Sequence, residues 1–240
     1  MQSPLEDVPG YQIYGHRHGL TILQNDFPEA AIELKGILES FYIPKHLIVE
    51  GGGCLSGITQ ILKKALEDAS WDKRVIHEEY IIDGQSQTSD SHEIDHFKRY
   101  EDNQPGIGLE IEWNNKDPFY DRDLENFRKY HALGLISIGI IITRGETLQR
   151  ELYSVFEQHF LASPNAVEEQ IPRYQGLKAK VAKNPANKTT IVAKHCYSSK
   201  YGTATTHWDK LIQRVDRKVG DPCPLVLIGI GAERLIEKIS

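Results

Sequence analysis

Long apolar runs, paired cysteines and repeats are what this chain of 240 residues has least of. No apolar stretch reaches the roughly 18 residues that a membrane-spanning helix needs, and the longest, Ile136 to Thr143, is broken by Ser137 and Gly139. A transmembrane helix is therefore not expected. The opening Met1-Gln-Ser-Pro, followed by acids, has neither the basic start nor the apolar stretch of a secretory signal, so a cytoplasmic protein is expected. Three cysteines, Cys54, Cys196 and Cys223, are far apart and odd in number. They argue against a disulfide framework and against a CxxC zinc site, and they read as reduced thiols. Gly51-Gly-Gly precedes a helical pattern but lacks the Gly-Lys-Ser/Thr of a P-loop and the full GxGxxG spacing, so no nucleotide cofactor is expected.

Apolar residues are plentiful even though no run of them is long. At 40% hydrophobic and 26% charged, the chain can bury a large core, and a single domain over residues 1–240 is expected. The net charge of −6 is unevenly spread. From Arg173 to Lys218 eleven Lys and Arg stand against Asp209 and Asp216, a local +9 that leaves −15 on the remainder. An acidic majority with a basic stretch over about 170–220 suits a protein that holds cations in one part and grips a polyanion with another. A solvated basic face with no partner is the plainer alternative.

Periodicity gives the elements. Tyr11 to Gly15 and Gly19 to Leu23 read as short strands around a Gly15-His-Arg-His turn, where His16 and His18 are more simply turn residues than metal ligands. Asp26 to Phe41 reads as a helix with Asp26 as its cap and Pro28 in its first turn. Lys45 to Glu50 reads as a strand, followed by a helix capped by Ser56 with Ile58, Ile61, Leu62, Ala65 and Leu66 buried. Strands are expected at Val75–Ile82, His92–Phe97, Gly106–Trp113, Leu135–Thr143, Thr189–Ala193 and Pro224–Ile230. Helices are expected at Tyr120–Leu133, Leu148–Phe160 and His207–Lys218, with a short one at the C-terminus and a long loop over Ser163–Pro185. Helices alternating with strands after an antiparallel run predict an α/β fold, a mixed central sheet flanked by helices.

The chemistry gathers in Ser91-His-Glu-Ile-Asp-His-Phe-Lys and in Gly108-Leu-Glu-Ile-Glu-Trp-Asn-Asn-Lys-Asp. Glu110 and Glu112 lie two apart on a strand and share a face. Two like charges side by side among apolar neighbours are destabilising unless a cation or solvent compensates them. With Asp95 from a neighbouring strand, they form an oxygen set suited to Mg²⁺, to which the backbone carbonyl of Ile111 adds a further donor. Such a site suits phosphodiester hydrolysis. The competing reading is a solvated edge strand, since Glu-x-Glu is common.

Residues Ile94 to Arg144 resemble the catalytic core of BglII-type restriction endonucleases, a branch of the PD-(D/E)XK nuclease fold. The similarity rests on Leu109-Glu-Ile-Glu-Trp-Asn-Asn-Lys-Asp-Pro-Phe-Tyr-Asp-Arg-Asp-Leu-Glu-Asn-Phe-Arg and Gly139-Ile-Ile-Ile-Thr-Arg. It resumes in Thr205-Thr-His-Trp-Asp-Lys-Leu and Cys223-Pro-Leu-Val-Leu-Ile-Gly-Ile. The resemblance implies a restriction-endonuclease-like core over about 45–160, with Asp95 and Glu110 as metal-binding acids and Glu112 in the place of the motif's final Lys. Ile94 stands where the motif has Pro. The exchange of Lys for Glu112 leaves the general base open, because a glutamate accepts a proton where a lysine only donates. Lys116 is a candidate for the missing positive charge, for a phosphate contact or for a salt bridge. Glu78 and Glu79 are candidates for a further polar residue upstream, and Asp121, Arg122 and Asp123 read first as helix-dipole residues.

For DNA, a helix begun by Thr205-Thr-His207 offers Lys210, Arg214, Arg217 and Lys218 on one face. Lys178, Lys180, Lys183 and Lys188 suit an arm around the duplex. Asn114, Asn115 and His195 carry no distinguishing signal. The expected activity is that of a Mg²⁺-dependent type II restriction endonuclease acting as a homodimer on a short palindromic site in double-stranded DNA. A repair or recombination nuclease of the same fold, and a non-catalytic DNA-binding protein, are the alternatives.

Overall fold

The computed structural model describes residues 5–50, 56–100 and 104–237, and only the backbone from 87 to 90. The Gly51-Gly-Gly turn and Cys54 lie outside the described residues. Strands β1 (Tyr11–His16), β3 (Asp72–Ile82), β4 (Gln85–Lys98), β5 (Gly106–Glu112), β6 (Ile136–Arg144) and β7 (Leu225–Ile230) form one six-stranded sheet in the order β1-β7-β6-β5-β4-β3. The centre, β5, β6 and β7, is parallel, and β1, β4 and β3 join it antiparallel. This is the expected mixed α/β architecture.

Strands β6 and β7 are buried almost throughout, as parallel strands covered on both faces should be. Alternation sorts their side chains. Ile138, Ile140, Ile142, Val226 and Ile228 face one core together with Ile107 and Leu109 of β5. That core is closed by α2 (Pro28–Ser40), α4 (Gly57–Asp68), α6 (Glu146–Ala162) and α9 (Lys188–Tyr201). On the opposite face Ile141, Leu225 and Leu227 pack under α5 (Phe119–Ala132) and α10 (Trp208–Asp216), through Tyr120, Leu124, Phe127, Trp208 and Leu211. Glycines let α5 come close: a Cβ on Gly139 would lie 2.3 Å from Phe127. Since Glu110 and Glu112 alternate with Leu109 and Ile111, they fall on the α5 side of the sheet.

Several expectations are corrected. Gly19 to Leu23 belongs to α1 (Gly19–Asp26), not to a strand, and Gly19 lies so close to Leu225 that a Cβ would meet its carbonyl oxygen at 2.2 Å. Asp26 therefore ends α1, and Phe27 precedes α2 without a side-chain cap. Lys45 to Val49 is a helix, α3, after the two-residue strand β2 (Ile43–Pro44). The Lys200 ammonium donates to the carbonyl of Ile48 at 2.9 Å, satisfying α3's C-terminal end from a distant part of the chain. The stretch read as a loop holds α7 (Pro164–Gln170) and α8 (Leu177–Lys183), each too short to display a period and each anchored by one or two buried side chains, Val167 and then Leu177 with Val181. Thr189 to Ala193 lies within α9, where burial of Val192, Ala193, Cys196 and Tyr201 overrides the β-preference of Thr-Thr-Ile-Val. The short C-terminal helix is a 3₁₀ turn at Ala232–Arg234 followed by β8 (Leu235–Ile236), which pairs with β2. Ile61 of α4 is exposed rather than buried, while Ser56 caps that helix by accepting from Thr59 N–H. Cys196 and Cys223 are buried free thiols.

Candidate active site

β4 pairs with β3 along its length but with β5 only through His96, Phe97 and Lys98, opposite Leu109, Gly108 and Ile107. The next position in that register sets Asp95 against Glu110. There the two backbones part, and the Asp95 N–H donates to the side chain of Glu110, at Oε1, 3.3 Å away. Asp95 is exposed, while Glu110 and Glu112 retain 5% and 3% of their accessible surface. The expected pairing of acids from β4 and β5 is thus present, at the end of a ladder where side chains can leave the sheet.

A fourth carboxylate comes from above. Asp123, on the second turn of α5, is 1% exposed and faces the sheet. Its Oδ1 accepts from Arg122 Nε at 2.9 Å and is ion-paired with Nη2 at 2.7 Å. Its Oδ2 is buried and, among the described residues, has no donor except the Glu112 carboxyl when that is protonated. Reading Asp123 as a helix-dipole residue is corrected here, because the helix start and the buried face of α5 coincide. Asn115, which carried no signal in the sequence, donates from Nδ2 to Glu112 Oε2 at 3.0 Å.

Burial first, and then Asp123 and Asp95, push the Glu110 carboxyl well above its usual range. Glu112 is pushed up to about 9, by burial and then by Asp123 against it. Burial also raises Asp123, opposed by the Arg122 guanidinium. Three buried acids with one nearby arginine can all be ionised at neutral pH only if further positive charge arrives. Among the described residues no three His, Cys, Asp or Glu side chains already stand ready to hold a metal ion. Mg²⁺ does not need three, since one or two carboxylates with water and phosphate oxygens suffice. Oxygen-only donors, charge deficit and two buried carboxyls facing one another fit a hard divalent cation.

The other sequence candidates divide. Ile111 packs its side chain on the opposite core, which leaves only its backbone at the acidic face. Lys116 is exposed on the loop after β5, and that loop bridges to Thr205. Arg144 of β6 ties these loops together, donating to Trp113 O and Thr205 Oγ1, each at 2.7 Å, and to Thr206 O, while lying 4.8 Å over the Tyr201 ring. His207 precedes α10, is 9% exposed and is held below its ordinary pKa by burial and then Arg144. Lys210 and Arg214 are not a free cationic face: both pair with Asp117, at 3.4 and 3.3 Å, and Arg214 also meets Asp121 at 3.4 Å. Arg217 and Lys218 are exposed at the end of that helix. Glu78 pairs with Lys129 of α5 at 2.6 Å, Glu79 is exposed, and His16 pairs with Asp221 at 2.8 Å. A cleft of about 360 Å³ at the Asp72–Lys98 end of the β3–β4 pair is lined by Lys73, Arg74, Lys98 and Arg99 together with Asp72, and of these Lys73 already pairs with Glu93 and Lys98 with Glu33.

Residues 11–230 match the family described as restriction endonuclease BglII/BglIII. The chain belongs to the BglII/BglIII restriction endonuclease family. Its matched region begins with the first residue of β1 and closes with the last of β7, so it takes in the whole central sheet. The fold is accordingly restriction-endonuclease-like, and membership carries the activity of a DNA-binding nuclease, a hydrolase. None of the curated proteins matches the chain. In this BglII/BglIII family member no helix among the described residues is long and apolar enough to cross a membrane.

Proposed function

We propose that this chain is a Mg²⁺-dependent type II restriction endonuclease of a restriction-modification system. It works in the cytoplasm as a homodimer, hydrolysing double-stranded DNA at a short palindromic sequence and leaving 5′-phosphate ends. The observation that carries the reading is the meeting of Asp95 with Glu110 at the parting of β4 and β5, beside buried Glu112. One endonuclease domain over 1–240 contains the catalytic core at about 45–160 and the basic, DNA-contacting part at about 170–220. No nucleotide cofactor takes part.

Asp95, Glu110, Glu112 and the carbonyl of Ile111 would hold the cation. Bound there, magnesium lowers the pKa of an attacking water and offsets charge on the phosphate and leaving oxygen. Asn115 fixes Glu112 by its bond to Oε2, which orients the carboxyl toward the cluster. Glu112 in its ionised form would accept a proton from the water that attacks phosphorus, the bond to the 3′ oxygen would break, and that oxygen would take a proton from solvent to leave as a hydroxyl. Lys116 and His207 stand on the two bridged loops and would meet the DNA backbone. Lys210 and Arg214 would reach it by exchanging Asp117 and Asp121 for phosphate.

Digestion of a plasmid with Mg²⁺ or with EDTA, followed by mapping of the ends, tests this. Discrete fragments with 5′-phosphates in Mg²⁺ alone are expected. Smears would point to a nuclease without sequence preference, and an intact plasmid to a DNA-binding protein without catalysis.

A further inference from the structure

The acids assigned so far leave Asp123 without a role, although it is the most deeply buried of the cluster. A carboxylate with 1% exposure on a helix face costs stability unless its oxygens are satisfied. Arg122 satisfies Oδ1 from a half-exposed position, with 52% of its side chain accessible. Among the described residues Oδ2 has no donor other than the Glu112 carboxyl in its protonated form. Its other acidic neighbours are Asp95 and, within hydrogen-bonding reach, Glu112, whose own Oε2 is held by Asn115. Two buried carboxyls facing one another can share a proton when one of them is protonated, whereas a divalent cation is what lets both ionise together.

We propose that Asp123 is a cation ligand of this nuclease, sharing a divalent ion with Glu112 beside the Asp95–Glu110 pair. This rests on the reading of the cluster as a magnesium site and extends it to a residue contributed by α5. Two protein carboxylates are an ordinary complement for Mg²⁺ or Mn²⁺, with solvent or phosphate oxygens completing the shell. The assignment also explains why an aspartate occupies the buried side of α5 among Tyr120, Leu124 and Phe127.

The test is a Mn²⁺ titration of the full chain without DNA, read by calorimetry, for the unaltered protein and for Asp123→Asn and Asp95→Asn. Loss of a ligand should weaken Mn²⁺ by about 10–100-fold in Asp123→Asn. A second variant, Asp123→Cys, replaces a hard ligand with a soft one. It should lose Mn²⁺ and gain Cd²⁺ with a thiolate-to-cadmium absorption band above that of the unaltered chain, a change that a merely structural aspartate would not produce. If Asp123→Asn does not fold, Arg122→Gln/Asp123→Asn removes both charges together and is titrated in its place. Parental Mn²⁺ affinity in the Asp123 variant, with binding lost in Asp95→Asn, overturns the role of Asp123 and leaves the magnesium reading standing. No Mn²⁺ binding by the unaltered chain overturns both.

Discussion

The backbone N–H of Asp95 donates to Glu110 Oε1 across the point where β4 stops pairing with β5. The bond holds two acids in register without a ladder between them. It leaves the exposed carboxyl of Asp95 beside the buried one of Glu110, one reachable by solvent and the other not.

Removing either charge should therefore disable cleavage more than folding. Asp95→Asn and Glu110→Gln are expected to lower the rate of Mg²⁺-dependent plasmid cleavage by on the order of 10²–10³-fold or more, the scale for losing one electrostatic element of a phosphoryl site. Single-turnover cleavage, with circular dichroism as the check on folding, reads both. Parental rates would refute the site.

Metal should act on stability as well as on rate. Burial raises Glu110, Glu112 and Asp123, and the neighbouring acids raise the two glutamates further, so a bound cation relieves a cost already present in the folded chain. Mg²⁺ at about 100 times its dissociation constant would add about 2.7 kcal/mol. The melting temperature should rise on going from EDTA to Mg²⁺, and Glu110→Gln should melt higher than the unaltered chain in EDTA while losing most of the Mg²⁺ increment. A Tm unmoved by Mg²⁺ in the unaltered chain would contradict this.

On the acid side His96 is the group to watch. It is 2% exposed, and burial holds its imidazole below the ordinary 6.5, with the Trp71 carbonyl and then Asp95 opposing. A depressed folded pKa means that the unfolded chain takes up the proton first. The stability that follows is complete above 6.5 and is lost as pH falls toward the folded value. The raised carboxyls run the other way, losing their contribution as pH climbs through the folded value of about 9 for Glu112. Comparison of His96→Gln with the unaltered chain isolates the histidine. The variant should lose less stability between about pH 7.5 and 5.5 in urea denaturation, and an equal loss would exclude the effect.

Among the described residues, Arg144 has no carboxylate as a bonded partner. Burial pushes its guanidinium down to about 10, and its donors end on Trp113 O, Gln149 Oε1, Thr205 Oγ1 and Thr206 O. Arg144→Met would strand buried carbonyls on both loops that flank the acids, at a cost of about 2–4 kcal/mol. Arg144→Lys should recover little, because an ammonium cannot span the fork. Urea midpoints measure both, and full recovery by lysine would show that charge rather than geometry is what matters.

Two glycines should respond oppositely to alanine. Gly36, inside α2, has nothing within 4 Å of an added Cβ, so Gly36→Ala should stabilise by about 0.4–1 kcal/mol. Gly139→Ala would drive a Cβ to 2.3 Å from Phe127 and force α5 off the sheet, costing about 1–3 kcal/mol and moving Asp123. Thermal melts of the two variants give the comparison directly.

Much of this was written in local pattern. Strand and helix were legible wherever a segment alternates or repeats over two turns or more, as in β5, β6, α5 and α6, because burial of one face leaves a period in the sequence. That Glu110 and Glu112 share a face was legible too, since two-residue spacing on a strand puts side chains on one side, whereas Asp95 was joined to them through the resemblance of its motif. Short helices such as α7 and α8 were not, having too few turns to show a period. Nor was the switch of Thr189–Ala193 to helix, which packing against α6 imposes.

By itself, then, the sequence determined a mixed sheet, an acidic face on one central strand and a basic stretch elsewhere. Only the tertiary structure decided that α5 covers that face and buries Asp123 against it, that Arg144 fastens two distant loops, and that Lys210 and Arg214 are already held by Asp117 and Asp121. The division has one cause. Period and residue type report which side of an element is buried, whereas the partner that buries it belongs to another part of the chain and is set by how helices and strands fit together in space.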